Sequence, residues 1–237
     1  MKRGFTDIHQ HVLYGLDDGP QDAAGMHRML LRAADQNITH LFATPHATPG
    51  VYQFNLKKYY ERMDEASRFC QAENLNIKLY EGAEILYTDQ TCRFLNEQQI
   101  PTLAGTNRVL VEFSPDIQYE KLFGAMDKLL SNGYIPVIAH VERYDCLTHH
   151  PARAKELKER LQVRFQMNCQ TAISCKGFFK KHFVKKMLRN DMIDALGTDA
   201  HNTHSRPARM KHACQIIWRE YGAENIKRMT DGSVLFD

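Results

Sequence analysis

The chain has 237 residues, 43% hydrophobic and 25% charged, with a mean hydropathy of -0.49. These figures exclude a disordered chain and a membrane-embedded one, and the length predicts one domain over 1–237. Lys+Arg 31 against Asp+Glu 28 leaves +3, too small an excess for a nucleic-acid-binding surface.

The opening stretch up to Asp7 turns polar at once, so it has no signal-peptide core, and no 18-residue apolar run follows anywhere. A cytoplasmic protein without membrane insertion is expected. The six cysteines lack C-x-x-C spacing and read as free, mostly buried thiols. Histidine stands out, with twelve residues.

Taken in chain order, β-rich runs at 4–8, 40–44, 77–81, 108–113, 135–139, 163–168 and 193–197 alternate with helical patterns. The first run ends in Asp7-Ile8-His9-Gln10-His11, where a period of two puts Asp7, His9 and His11 on one face. Asp18-Gly19-Pro20 then opens a helix whose apolar stripe is Met26, Met29, Leu30 and Ala33. His46 follows the second run, Glu84 the third, and Glu112 lies within the fourth. The next stripe, Leu122, Ala125, Met126 and Leu129, is closed by Asn132-Gly133. His140 ends the fifth run. After the sixth, Lys180, Lys181, Lys185 and Lys186 are expected on one face of a helix, with Phe179, Phe183 and Met187 on the other. The seventh run leads into Thr198-Asp199-Ala200-His201, and the last helix is expected to hold Pro207 in its first turn.

Seven βα units predict a parallel barrel, with an open doubly wound sheet as the competing arrangement. Taken singly, each polar residue has a bland reading: a capping Asp18, a salt-bridged Glu112, a satisfied core His140. Jointly, five histidines and four carboxylates, nearly all where a strand passes into its βα loop, would gather unpaired charges that repel without divalent cations. Imidazole and carboxylate without thiolate suit manganese, iron or zinc, and nine ligands could serve two or three ions.

With Asp17-Asp18-Gly19-Pro20, Gly82-Ala83-Glu84, Val111-Glu112-Phe113, Ile138 to Tyr144 and Thr198 to His201 added to the His9/His11 motif, the chain resembles the PHP (polymerase and histidinol phosphatase) superfamily. Within it, the chain is similar to the bacterial manganese-dependent protein-tyrosine phosphatases of capsule and exopolysaccharide systems. The resemblance implies a distorted TIM-like (β/α)7 barrel and a three-metal centre. His9, His11, Glu84 and Asp199 would hold one ion, Glu84, Glu112 and His140 a second, and Asp18, His46 and His201 the third. Arg143 and Arg206 would hold the phosphate, acting with Asp18, His46 and His201 as the catalytic groups. Two or three divalent ions are implied, manganese ahead of iron or zinc. The implied substrate is the tyrosine-rich tail of a bacterial tyrosine kinase.

The expected reaction is in-line attack of a metal-bound hydroxide on phosphorus. A tyrosyl leaving group, with a pKa of about 10, departs with less proton assistance than an alkoxide. No cysteine has an arginine six positions on; Cys214 with Arg219 falls one short, which removes the cysteine-phosphatase mechanism. Serine-hydrolase and P-loop motifs are also absent from the sequence. A small-molecule phosphatase, acting for instance on histidinol phosphate, and a non-catalytic metal-binding partner are the alternatives. The stretches 48–60 and 169–186 are expected to shape the rim, and Tyr14, Tyr52, Phe54 or Tyr119 could pack a substrate ring. His27, His149, His150, His182 and His212 read as surface or loop residues.

Overall fold

The computed structural model describes residues 4–235; residues 1–3, part of the opening stretch considered above, lie outside them. In chain order the strands are β1 (Phe5–Gln10), β2 (Ile38–Ala43), β3 (His46–Ala47), β4 (Lys78–Glu81), β5 (Glu84–Leu86), β6 (Arg108–Glu112), β7 (Ile135–Ile138), β8 (Arg164–Asn168) and β9 (Ala195–Gly197). The helices are α1 (Ala23–Asp35), α2 (Leu56–Ala72), α3 (Thr91–Asn96), α4 (Tyr119–Ser131), α5 (Asp145–Thr148), α6 (Pro151–Leu161), α7 (Cys169–Ile173), α8 (Phe178–Arg189), α9 (Met210–Tyr221) and α10 (Ala223–Thr230). All seven expected runs form strands, shifted by a residue or two at their ends.

The two additional strands continue earlier ones across a break. Between β2 and β3 stands Pro45, which has no amide hydrogen to give a ladder. Between β4 and β5 stands Gly82, where a Cβ would lie 2.9 Å from Leu103 Cδ2 and 3.0 Å from Thr44 Cγ2. Counting β2/β3 and β4/β5 as one stave each gives seven. Sheet order runs β1-β2-β4 and β3-β5-β6-β7-β8-β9, with every pair parallel. The ring closes between the first and last staves through a Gln10–Ala200 bridge and bonds from Asp199 N to His9 O (2.8 Å) and from His11 N to Ala200 O (3.0 Å). The distorted (β/α)7 barrel is therefore the architecture, and the doubly wound sheet is not.

Alternation along the staves sorts side chains between two cores. Val109 and Val111 pack outward against the helices, whereas Leu110 joins Ile8, Phe42, Val137 and Ala195 in an inner cluster. Glu112 shares the face of Leu110, and Gln166 and Asn168 share a face of β8, so polar side chains take over where the inner cluster ends. Truncating Leu110, fully buried, to alanine would cost about 2–5 kcal/mol.

Four local expectations need correction. Asp22, not Asp18, caps α1, its Oδ1 accepting from Gly25 N at 2.7 Å; Asp18 is thereby free for other work. Pro207 precedes α9, which starts at Met210, and α10 follows as a further helix. Asp7 does not share the face of His9 and His11. A register irregularity between Asp7 and Gln10 turns it to Thr198, whose N and Oγ1 donate to its two oxygens at 2.9 and 2.5 Å. Phe179 does not join Phe183 and Met187 in the core. It is 54% exposed, its ring meeting edge-on those of Phe178 at 5.6 Å and His149 at 4.5 Å, both exposed themselves. No helix among the described residues is long and apolar enough to cross a membrane. All six cysteines are free thiols.

Candidate metal centre

The strand ends bring all nine expected ligand residues to one mouth of the barrel. Ligand atoms of His9, His11, Glu84 and Asp199 lie within 4.8 Å of one another, as do those of His11, Asp18, His46 and His201, and those of His46, Glu84 and Glu112. The first set contains the residues expected for one ion. In the second, His11 joins Asp18, His46 and His201. In the third, His46 lies nearer the carboxylates than expected, its Nδ1 3.1 Å from Glu84 and 3.3 Å from Glu112. His140 belongs to the same group, with Nε2 at 2.8 Å from Glu84 and 3.5 Å from Glu112. His140 and Asp199 carry positive φ, 33° and 51°. Strain of this kind, about 1–3 kcal/mol per residue, persists where the surroundings impose it and clusters at functional sites.

Hydrogen bonding around the rings fixes which nitrogen faces the centre. The backbone N–H of His140 can only donate, so the Gln166 atom it meets at 2.7 Å is Oε1. That same oxygen, 3.1 Å from His9 Nδ1, must accept, which places a hydrogen on Nδ1 and leaves Nε2 to face inward. His11 Nδ1 donates to Asp17 Oδ2 at 2.7 Å, and His201 Nδ1 to the Asp199 carbonyl at 3.0 Å. His140 Nδ1 points to the Tyr144 hydroxyl at 3.5 Å, which itself donates to the Ala139 carbonyl. Such outer partners set ring orientation and tautomer in metal sites.

Two observations test whether ions fit. His9 Nε2 and His11 Nε2 lie 3.3 Å apart, each 3.1 Å from Glu84 Oε2; with both rings neutral, two inward lone pairs and a carboxylate oxygen face one point, a set that a cation would take up. His201 Nε2 is buried and without a hydrogen bond. It lies 3.1 Å from Asp18 Oδ1 but outside hydrogen-bond geometry. Both features are what divalent ions would satisfy, and a hard-to-borderline N/O donor set suits manganese, iron or zinc.

The electrostatics point the same way. Burial works against a charged His11, but hydrogen bonds to Asp17 and Glu84 outweigh it and push the ring up to about 10. His140 is likewise raised to about 9, against burial, by Glu112 and Glu84. Burial, then His11 and Arg206, lower His201 to about 4. Despite burial, the rings of His9, His11 and His140 hold Glu84 well below the usual carboxylate range. Asp17 falls to about 2, its bond to His11 outweighing burial.

Arg143 and Arg206 converge on one carboxylate, Nη2 of each lying 2.6 and 2.9 Å from Asp199; Arg206 also reaches Asp18 at 3.5 Å. Each arginine is about two-fifths exposed, so further N–H groups remain open to an incoming anion.

Of the aromatic candidates, Tyr14 is tied to Glu65 under Arg62, Phe54 is buried against Tyr59, and Tyr119 is tied to Glu156 and Arg153. Tyr52 alone is exposed, at 46%, its hydroxyl accepting from Thr48 two residues beyond His46. The histidines read as peripheral stay outside the centre; His27 stacks on Phe69 at 3.8 Å.

Sequence reasoning missed Asp17, Gln166 and Asn168. Asp17 accepts from His11, from Gly19 N at 2.9 Å and from His46 N at 3.0 Å. Gln166 donates to Asn168 at 2.9 Å, and Asn168 donates to Asp199 at 2.7 Å. The available signal was Gln166 and Asn168 alternating between apolar neighbours Phe165 and Met167, a polar inner face on a buried strand.

A parallel barrel whose C-terminal mouth gathers five imidazoles, four carboxylates and two guanidinium groups is a metallohydrolase scaffold. The chain belongs to the capsular polysaccharide synthesis family CpsB/CapC, whose model matches residues 5–232. It is 31% identical over 236 residues to the tyrosine-protein phosphatase CpsB of Streptococcus pneumoniae, covering 95% of this chain and 94% of that one. It is 28% identical to the tyrosine-protein phosphatase YwqE of Bacillus subtilis, covering 98% and 91%. A crystal structure from a study of YwqE and CpsB as metal-dependent tyrosine phosphatases superposes with a TM-score of 0.84 at 29% identity, over 93% of this chain and 89% of that one. A phosphotriesterase homology protein from Escherichia coli shares the fold alone, with a TM-score of 0.64 at 9% identity.

Proposed function

We propose that the chain is a metal-dependent phosphatase that hydrolyses phosphotyrosine on protein, the substrate being a tyrosine kinase of capsule or exopolysaccharide synthesis. The observation that carries this reading is the placing of Arg143 and Arg206 on Asp199, over a bed of five imidazoles and four carboxylates. The family membership and the names of the relatives support it. His9, His11, Glu84 and Asp199 would hold one ion, Glu84, Glu112 and His140 a second, and Asp18, His46 and His201 a third, with manganese the expected metal. Bound ions supply a water nucleophile at neutral pH and neutralise charge on the phosphoryl group.

The chain's own residues do the rest. Arg143 and Arg206 grip the non-bridging oxygens through guanidinium forks, which stay charged at any working pH and stabilise charge as it builds. Gln166 and Asp17 keep hydrogens on the outer nitrogens of His9 and His11, so the inner nitrogens stay basic. A tyrosyl oxygen leaves as a phenolate of pKa about 10, so no strongly acidic side chain is required.

The test is hydrolysis of p-nitrophenyl phosphate, phosphotyrosyl peptide, phosphoseryl peptide and histidinol phosphate, with and without chelator. Turnover of the aryl esters that vanishes in chelator and returns with manganese is expected. Full activity in excess chelator, or preferred turnover of histidinol phosphate, would refute the proposal.

A further inference from the structure

We propose that the start of α8, carrying Phe178, Phe179, Lys180 and Lys181, is a docking surface for an acidic segment flanking the phosphotyrosine of a protein substrate. The inference rests on the phosphotyrosine reading above. It begins from exposure. Phe178 is 79% and Phe179 54% exposed, and Val51 and Tyr52 are 73% and 46% exposed. These four are the only sequence-adjacent pairs among the exposed large hydrophobic residues described. Val51 and Tyr52 lie in the connection from β3 to α2, and Phe178 and Phe179 open α8, the second helix after β8, so both pairs stand on the side of the barrel where the strands end in ligand side chains. Around a ring of seven staves, β3 and β8 stand nearly opposite each other. An extended polypeptide crossing the mouth would therefore meet an apolar pair on each side of the centre.

Charge distinguishes the α8 side. From Asn168 to Asn190 there is no Asp or Glu, while Lys176, Lys180, Lys181, Lys185, Lys186 and Arg189 are all present, leaving 25 Lys and Arg against 28 Asp and Glu elsewhere. A chain that is acidic over the rest of its length thus concentrates positive charge on one helix. The helix buries Phe183, Val184, Met187 and Leu188 and leaves Lys181, Lys185, Lys186 and Arg189 exposed. Its N-terminal end is tied to the arginine side of the centre. Phe179 packs against His149 at 4.5 Å, and the α7 residue Thr171 donates to Glu142, beside Arg143, at 2.8 Å.

Exposed rings flanked by lysines complement a strand that carries both carboxylates and aromatic side chains. Phosphotyrosine, with nearly two negative charges on a ring, is the extreme of that chemistry. Long-range attraction of this kind acts on encounter and on KM, and it weakens with salt.

The test uses the full chain loaded with manganese, Phe178→Ser/Phe179→Ser and Lys180→Glu/Lys181→Glu variants, and three substrates. These are p-nitrophenyl phosphate, a phosphotyrosyl peptide with Asp and Glu on both sides, and the same peptide with Asn and Gln there. Wild type is expected to favour the acidic peptide by about tenfold in kcat/KM at low salt, within the range that steering supplies. Both variants should lose most of that preference through KM while keeping wild-type turnover of p-nitrophenyl phosphate and an unchanged unfolding midpoint. An unchanged peptide preference in folded variants overturns the docking surface. So does an equal loss on all three substrates, or variants that lose binding to vesicles containing phosphatidylserine while the peptide preference stays. If wild type fails on p-nitrophenyl phosphate, it is the phosphatase reading that falls.

Discussion

Replacing Asp17 by asparagine isolates the outer layer of the centre from its ligands. Asp17 contacts no inward-facing nitrogen, yet one oxygen accepts from His11 Nδ1 at 2.7 Å and His46 N at 3.0 Å while the other accepts from Gly19 N at 2.9 Å. Asparagine has the same shape but only one accepting atom. If its oxygen faces His11 and His46, its NH2 group opposes the Gly19 N–H. If it flips, two donors meet at His46 and the His11 ring is pushed to carry its hydrogen on Nε2, the nitrogen that faces the centre. Neither orientation satisfies the site. Loss of an outer-shell partner of this kind weakens metal affinity by about 10–100-fold, or about 1.4–2.7 kcal/mol. Manganese titration of chelator-treated protein against a competing indicator measures this directly. Asp22→Ala is the control: it removes the α1 cap, costing about 1 kcal/mol of stability, and should leave affinity alone. An Asp17→Asn affinity within twofold of wild type would show that Asp17 does not orient His11.

Gly197→Ala places a methyl 2.6 Å from His9 Cβ and 2.8 Å from Gln166 Nε2, so metal affinity should fall with little change in the far-UV circular dichroism. An intact affinity would mean that the strand yields there. Arg206→Lys keeps the charge but loses the fork, and a 10–1,000-fold drop in kcat/KM for aryl phosphate is expected, about what removal of one transition-state donor costs; wild-type kinetics would remove Arg206 from phosphate binding. The metal-free protein should lose thermal stability as pH rises from 7 to 10. His11 and His140, raised to about 10 and about 9, hold protons that an unfolded histidine of pKa about 6.5 has released, so their contribution is complete below 6.5 and fades through those values. His201, lowered to about 4, acts oppositely and weakens the fold as pH falls below 6.5. Melting curves in chelator that stay flat or rise above pH 7 would contradict this.

The strand ends were legible because a carboxylate or imidazole at the end of an apolar run has few cheap explanations, and such residues repeated after stave upon stave have fewer still. His140 and Glu112 could be placed from sequence for that reason. Asp7 could not. Its period-two partnership with His9 was sound for a regular strand, and a register irregularity undid it. Asp17 was hidden by its neighbour Asp18: two adjacent acids in a loop give no sign of which faces the ions and which holds a ring from behind. Phe179 fits the apolar stripe of α8 by spacing, but spacing cannot tell whether anything lies beneath the first turn to cover it. Gln166 was missed because an uncharged amide carries no mark of a ligand; its work is to hold His9 and the His140 backbone from behind.

The stave that closes the barrel is also the one that completes the centre. Asp7 and Thr198, 191 positions apart, share two hydrogen bonds at the seam, directly below His9, His11, Asp199 and His201. An ion touching both sides would staple the first and last staves of the barrel into one loop, whose entropy of closure grows only slowly with length. Glu84 can meet His9 and His11 before the last stave docks, but Asp199 cannot, so capture of an ion by all four would report closure of the ring.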